Sequence, residues 1–227
     1  TFQSFNMSSF KTTSFYWDED WPSLVPKYGA YVANTRGVNF THCRFENLTN
    51  GLFTPDHGGT GLAAINALVR VYGDANPNNS YFRDLRVGFF NANGILNGTI
   101  VNAMHFAGNL YGLADFNCRF ARYTNNTFNV VDQDQLPAPR AGMYLWQSQL
   151  YIIERNTYVG EDIALDPGDN STGIYFLGYA PSLNTNQWAY VENRIYDSDF
   201  TDLYWGSNVQ WIHRGDGTGK DARHRND

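Results

Sequence analysis

Residues 112–128 read GLADFNCRFARYTNNTF, and residues 142–158 read GMYLWQSQLYIIERNTY. Each runs 17 residues from a glycine to an aromatic. Residues 29–45, GAYVANTRGVNFTHCRF, fit the same frame. Two positions before the closing aromatic stand Cys43, Asn126 and Asn156; five before it stand Phe40, Tyr123 and Ile153. A second spacing leads out of the aromatic. Phe45, Phe82, Phe106 and Phe200 are each followed six residues later by a glycine: Gly51, Gly88, Gly112 and Gly206. Gly112 ends one unit and opens the next, so the units are successive turns of one repeat.

The recurring aromatics are Phe45, Phe82, Phe106, Phe128, Tyr158 and Phe200, separated by 37, 24, 22, 30 and 42 residues. The shortest separations approximate a bare coil. The longer ones carry insertions rich in turn formers: PDHGGTG at 55–61, GDANPNN at 73–79, DQDQLPAP at 132–139 and GYAPSLNTNQ at 178–187. Between insertions the pattern is strand-like. Leu68-Val69-Arg70-Val71-Tyr72, Tyr144-Leu145-Trp146, Leu150-Tyr151-Ile152-Ile153 and Ile174-Tyr175-Phe176 are built from aromatic and β-branched residues. No stretch carries an apolar stripe of helical period over three turns.

Short strands, a coil in the twenties and variable loops specify an all-β chain: a single-stranded right-handed parallel β-helix, or β-solenoid, with irregular loop insertions. A β-sandwich would explain the strands but not three units in one register. Each coil is expected to stack about 4.8 Å from the last, its aromatic on the equivalent aromatic of the next. The repeated Asn is expected to turn the chain at a corner, where it tolerates φ > 0 and its amide can bond along a ladder. The predicted organisation is an N-terminal cap or first coil over residues 1–27, the β-helix over 28–212, and a polar tail over 213–227. The aromatic segment 10–21 belongs to the first of these. Both ends read as cut from something longer.

Composition narrows the function. The 227 residues are 17% charged and 16% aromatic, with a formal net charge of −6. That balance argues against nucleic acid, which demands a basic stripe. The one basic cluster, Lys220, Arg223, His224 and Arg225, is interleaved with Asp221 and Asp227 and fits an exposed end. No apolar run approaches the roughly 20 residues of a membrane-spanning helix. Two cysteines, Cys43 and Cys118, exclude a disulfide scaffold; they fall at different repeat positions and read as buried small apolar residues.

The phrases GVNFTHCRFENLTNGLF (37–53), GMYLWQSQLYIIERNTYVG (142–160) and NRIYDSDFTDLYWGSN (193–208) resemble the β-helix regions of large surface proteins of Bacteroidetes bacteria. The likeness spans roughly residues 28 to 210. It is a likeness of pattern, shared across the pectin-lyase-like superfamily. It implies export through type IX secretion, whose machinery would then be a partner, and an extracellular or cell-surface location. The sorting domain typical of such cargo is not visible in this sequence. Most such regions have no assigned activity.

Some pectin-lyase-like proteins cut polysaccharides. The Asn-Thr-Asp, Asp-Asp, Gly-His-Gly and Arg-Ile-Lys motifs of their polygalacturonase-like members do not occur here. His57-Gly58-Gly59 comes nearest and reads as a turn. If the chain is an enzyme, Asp197 and Asp199 are the first suspects. Two apart on a strand, they would face one side, as glycoside hydrolysis or calcium binding requires. No motif calls for a cofactor; calcium is the ion that such a pair, or the turn Asp166-Pro167-Gly168-Asp169-Asn170, could hold. The strongest functional hint is aromatic. Trp146, Trp188, Trp205 and Trp211, with Tyr175, Tyr179 and Tyr204, crowd the C-terminal half. Flat rings on a solenoid face suit sugar stacking. The expectation is a non-catalytic scaffold or adhesive segment that contacts polysaccharide, with a β-helix lyase or hydrolase as the alternative.

Overall fold

The computed structural model describes residues 2–3, 6–7, 28–46, 59–93, 98–130, 140–160, 171–177, 193–213 and 219–224. The aromatic segment 10–21, the turn at 166–170, most of the insertions at 55–61, 132–139 and 178–187, Gly51, His57, Tyr179, Trp188 and the basic residue Arg225 lie outside them.

The described chain is a stack of rungs. The first holds β1 (Phe2–Gln3) and β2 (Asn6–Met7). The second holds β3 (Tyr28–Ala33), β4 (Arg36–Thr41) and β5 (Arg44–Glu46), and the third β6 (Thr60–Ile65), β7 (Leu68–Tyr72) and β8 (Tyr81–Arg83). Next come β9 (Val87–Ala92), β10 (Ile100–Asn102) and β11 (His105–Asn109), then β12 (Tyr111–Phe116), β13 (Arg122–Thr124) and β14 (Thr127–Val130). Two further rungs hold β15 (Arg140–Trp146), β16 (Ile152–Glu154) and β17 (Thr157–Gly160), and β18 (Ser171–Leu177), β19 (Arg194–Tyr196) and β20 (Asp199–Thr201). The last rung begins with β21 (Trp205–His213), and β22 (Gly219–His224) adds one strand beyond it at the end of the same sheet. From β1 to β21 every third strand falls in the same sheet, and β22 joins the sheet of β21, giving three sheets of seven, seven and eight strands. We call them the A sheet (from β1), the B sheet (from β2) and the C sheet (from β3). All pairings are parallel except β21 with β22, which is antiparallel, so the stretch read as a polar tail contains a strand. This is the parallel β-helix that the repeat demands.

The register matches the sequence frame. Phe45, Phe82, Phe106, Phe128, Tyr158 and Phe200 pair in succession through the B sheet. Their rings stack with centroids 4.8, 5.0, 4.6, 4.9 and 4.7 Å apart and within 10° of parallel. Rung spacing and ring contact coincide, so a single column of aromatics fills one side of the bore. The Phe40 position continues as Val71, Val101, Tyr123, Ile153 and Ile195.

The glycines follow from that column. A Cβ on Gly112 would lie 2.7 Å from the Gly142 carbonyl oxygen and 2.7 Å from Phe128 Cδ1. Gly61, Gly88, Gly142 and Gly173 face the same pair of obstacles, the next rung's backbone and the ladder ring. Glycine is required there for close approach rather than for a bend.

Corners divide the labour differently from the sequence expectation. The repeated Asn does not itself take positive φ. That falls one residue earlier, on His42, Ala103, Asn125, Arg155 and Asp197. Asn126 and Asn156 are left buried, with their amides turned along the stack. The Asn126 amide donates to Val101 O and Asn156 Oδ1 at 3.0 Å each, and its own Oδ1 accepts the Met104 N–H. Asn156 donates to Tyr123 O and accepts the Asn126 N–H. The bend exposes backbone groups inside the bore, and an inward amide satisfies a donor and an acceptor together, a task the Ser198 hydroxyl takes at the next rung. Where the chain leaves the C sheet for the A sheet, the first left-handed residue of each rung is Asn34, Asn66, Asn93, Asn117 or Gln147. There the side chains bond outside, Asn66 to Asn34 and Asn117 to Asn93.

Both cysteines are buried thiols outside any disulfide, as expected. The strand expected from Leu150 begins at Ile152, because Leu150 has φ +59°. No helix is long and apolar enough to cross a membrane among the described residues.

Candidate functional site

On a half-buried sheet, alternate residues point inward and outward. In β15 the buried Met143 and Leu145 flank Tyr144 and leave it outside; in β18 Ile174 and Phe176 do the same for Tyr175. The two tyrosines are register partners. Their rings stack 5.2 Å apart at 6°, and Tyr111 of β12 leans on Tyr144 at 5.0 Å. Two residues further on, Trp146 is 38% exposed and meets Phe116 edge to face at 4.6 Å. The outer face of the C sheet therefore carries two aromatic register pairs side by side, Tyr144–Tyr175 and Phe116–Trp146, with Tyr111 against the first from the neighbouring column. Half-burial among neighbouring rings pushes the Tyr144 hydroxyl up to about 12, so the strip is neutral at physiological pH.

Trp205 lies on the same sheet, in the column of Tyr111, with Ala141 and Thr172 between them. It meets Tyr204 edge to face at 5.2 Å. Trp211 belongs to β21, and Trp188 is outside the described residues. The structure thus places Trp146 and Tyr175 together in one strip and Trp205 nearby on its sheet. Tyr111, Phe116 and Tyr144 were not singled out in the sequence. Their outward parity was readable from their buried neighbours.

Asp197 and Asp199 do not share a strand. Asp197 is the left-handed corner residue, φ 44°, between β19 and β20, and Asp199 opens β20. Both are exposed, on the A–B side of the molecule and away from the aromatic strip. The left-handed corner breaks the two-residue periodicity that would have aligned their carboxylates. Among the described residues no three His, Cys, Asp or Glu side chains gather as a metal site would require.

A second concavity was not anticipated. His42, Arg44, Asp74 and Asn79 line an open cleft of ≈ 210 Å³ beside the corner between the A and B sheets. The insertion at 73–79 builds one wall. Asp74 Oδ1 accepts the Asn76 N–H at 2.9 Å, and Asp74 Oδ2 accepts from Asn79 at 3.1 Å. His42 Nε2 is 3.9 Å from Asp74 Oδ2, and the His105 ring nitrogen is 3.2 Å from Asp74 O. Beyond it, Arg83 binds Glu46 at 2.7 Å and lies 4.3 Å over the Tyr81 ring.

Compared with protein-family models, curated proteins and solved structures, the chain matches none.

Proposed function

We propose that this chain is a non-catalytic β-helix segment of a secreted or surface-exposed protein, and that it adheres to polysaccharide through the aromatic strip on the C sheet. The observation that carries the reading is the cluster of outward rings, the register pairs Tyr144–Tyr175 and Phe116–Trp146 with Tyr111 leaning on Tyr144 from the neighbouring column. Tyr144 and Tyr175 stack face to face, and the 38% exposed Trp146 beside them offers apolar surface to a sugar ring. These rings are neutral, held in place by a rigid sheet and therefore cheap in entropy to dock against. The bacterial surface assignment, pectin-lyase-like and exported by type IX secretion, rests on the sequence pattern alone.

The test is binding to a panel of plant, algal and host polysaccharides by affinity electrophoresis, with turnover followed in parallel with and without calcium. Retardation by at least one glycan is expected, weakened about tenfold by Trp146→Ala, the equivalent of ~1.4 kcal/mol. Retardation unaffected by both Trp146→Ala and Tyr175→Ala would remove the strip from the proposal.

A second reading, polysaccharide cleavage, draws its support from the open cleft. An imidazole, a carboxylate and a guanidinium there could serve as base, orienting acid and anion clamp. Release of reducing ends or unsaturated products, lost in Asp74→Ala, would establish this reading over the first.

A further inference from the structure

Inside the bore, one column runs Val32, Ala64, Asn91, Asp115, Leu145, Phe176 and Val209. Five of the seven are apolar, and the fold clearly accepts Leu or Phe there. Asn91 and Asp115 sit on neighbouring rungs and are each 1% exposed. The Tyr123 hydroxyl donates to Asp115 Oδ2. Tyr151 packs edge to face on Tyr123, with centroids 5.6 Å apart. The Tyr151 hydroxyl, both polar atoms of the Asn91 amide and Asp115 Oδ1 make no hydrogen bond. The groups facing the carboxyl are thus Asn91 from β9, Tyr123 from β13, Tyr151 ahead of β16 and the apolar Leu145 from β15. The Cys118 thiol stands beside both phenols. No cation is among them.

We propose that Asp115 is a proton-operated weak point built into the middle of the solenoid: protonated, it closes the bore, and ionised, it loosens the rungs from β9 to β16. A carboxylate in an apolar column without a counter-cation is costly, while a carboxylic acid there is an ordinary hydrogen-bonding group. Burial agrees, pushing Asp115 up to about 7 against the opposing pull of the Tyr123 hydrogen bond.

The sign follows from linkage. The folded value lies above the ordinary 3.8, so between these limits the folded chain holds a proton that the unfolded chain has lost. Stability from this group is fully present below the unfolded value and declines as pH rises towards 7. The unfolding equilibrium constant attributable to it rises about tenfold per pH unit from pH 5 until the folded value is reached, then levels.

The experiment is denaturant unfolding of the intact chain at pH 5, 6, 7 and 8, for the wild type and for Asp115→Asn and Asp115→Leu. Titrations shared by all three proteins cancel in the comparison. The expected result is a midpoint that falls with pH more steeply in the wild type than in either variant. Parallel profiles would overturn the proposal. If neither variant folds, the wild type alone decides through infrared spectroscopy at pH 6. A carboxylic-acid carbonyl band that disappears by pH 8 is expected; its absence at pH 6 would overturn the proposal equally.

Discussion

Single residues in this molecule are chosen by what one extra carbon would strike. At Gly112 a Cβ would meet backbone and ring at 2.7 Å each, and neither can retreat without disturbing the next rung. Gly37 differs: a Cβ there meets nothing within 4 Å, but φ is +81°. Gly112→Ala is therefore expected to cost about 1–3 kcal/mol through overpacking, and Gly37→Ala about 1 kcal/mol through backbone strain alone, in chemical denaturation. The opposite sign is expected at Ala103. It holds φ +56° at a corner where the next rung uses Asn125. Ala103→Gly should stabilise by roughly 0.5–1 kcal/mol, because a left-handed alanine carries a penalty that glycine does not. A lower unfolding midpoint for that variant would mean the corner is not strained. At this scale the sequence was half legible. The glycines announced themselves by spacing, but their reason did not, since the ring each one faces is supplied by another segment. Asp115 was legible in principle: in the 17-residue frame it occupies the place of Val32 and Leu145. The ends of the units repeat most plainly, and this column lies near their start.

At the scale of the element, a strand here is too short to stand alone. β13 and β16 have three residues each and exist because equivalent strands lie on both sides. What one strand contributes is a ring to the ladder and an amide to the corner. Phe106 is 1% exposed between two stacked neighbours, so Phe106→Ala is expected to cost about 3–5 kcal/mol. Asn126→Ala would strand the Met104 N–H and the Val101 carbonyl in the bore, at roughly 1–3 kcal/mol per group. Urea midpoints would check both, and an Asn126→Ala protein as stable as the wild type would show that the inner ladder is dispensable. Ladder positions were legible because stacking forces identical columns to repeat. The division between a left-handed residue and an inward Asn was not, because Asn suits both tasks and only geometry separates them. The same holds for Asp197 and Asp199, whose two-residue spacing promised a shared face until the corner between them removed it.

The whole molecule is a stack of coils whose columns face either the bore or solvent. The solenoid was legible because its period survives insertions, while the candidate site was legible only in part. Trp146 and Tyr175 were named for residue type, whereas the strip that unites them with Tyr111, Tyr144 and Phe116 exists only once rungs are stacked. The cleft at His42, Arg44, Asp74 and Asn79 joins two rungs 32 residues apart and left no mark in the sequence. Strip, cleft and buried carboxyl all depend on one claim: residues a full coil apart are neighbours. A pair of engineered cysteines tests that directly. Thr127 and Thr157 are register partners on the B sheet, and Asp199 lies one rung further. One rung is about 4.8 Å, within the roughly 4.4–6.8 Å that a disulfide spans between Cα atoms, whereas two rungs exceed it. With the buried Cys43 and Cys118 left in place, Thr127→Cys with Thr157→Cys should oxidise readily to a bridge. Thr127→Cys with Asp199→Cys should remain reduced under the same conditions. Failure of the first pair, or equal bridging by both, would contradict the stacked-coil fold on which the functional proposal stands.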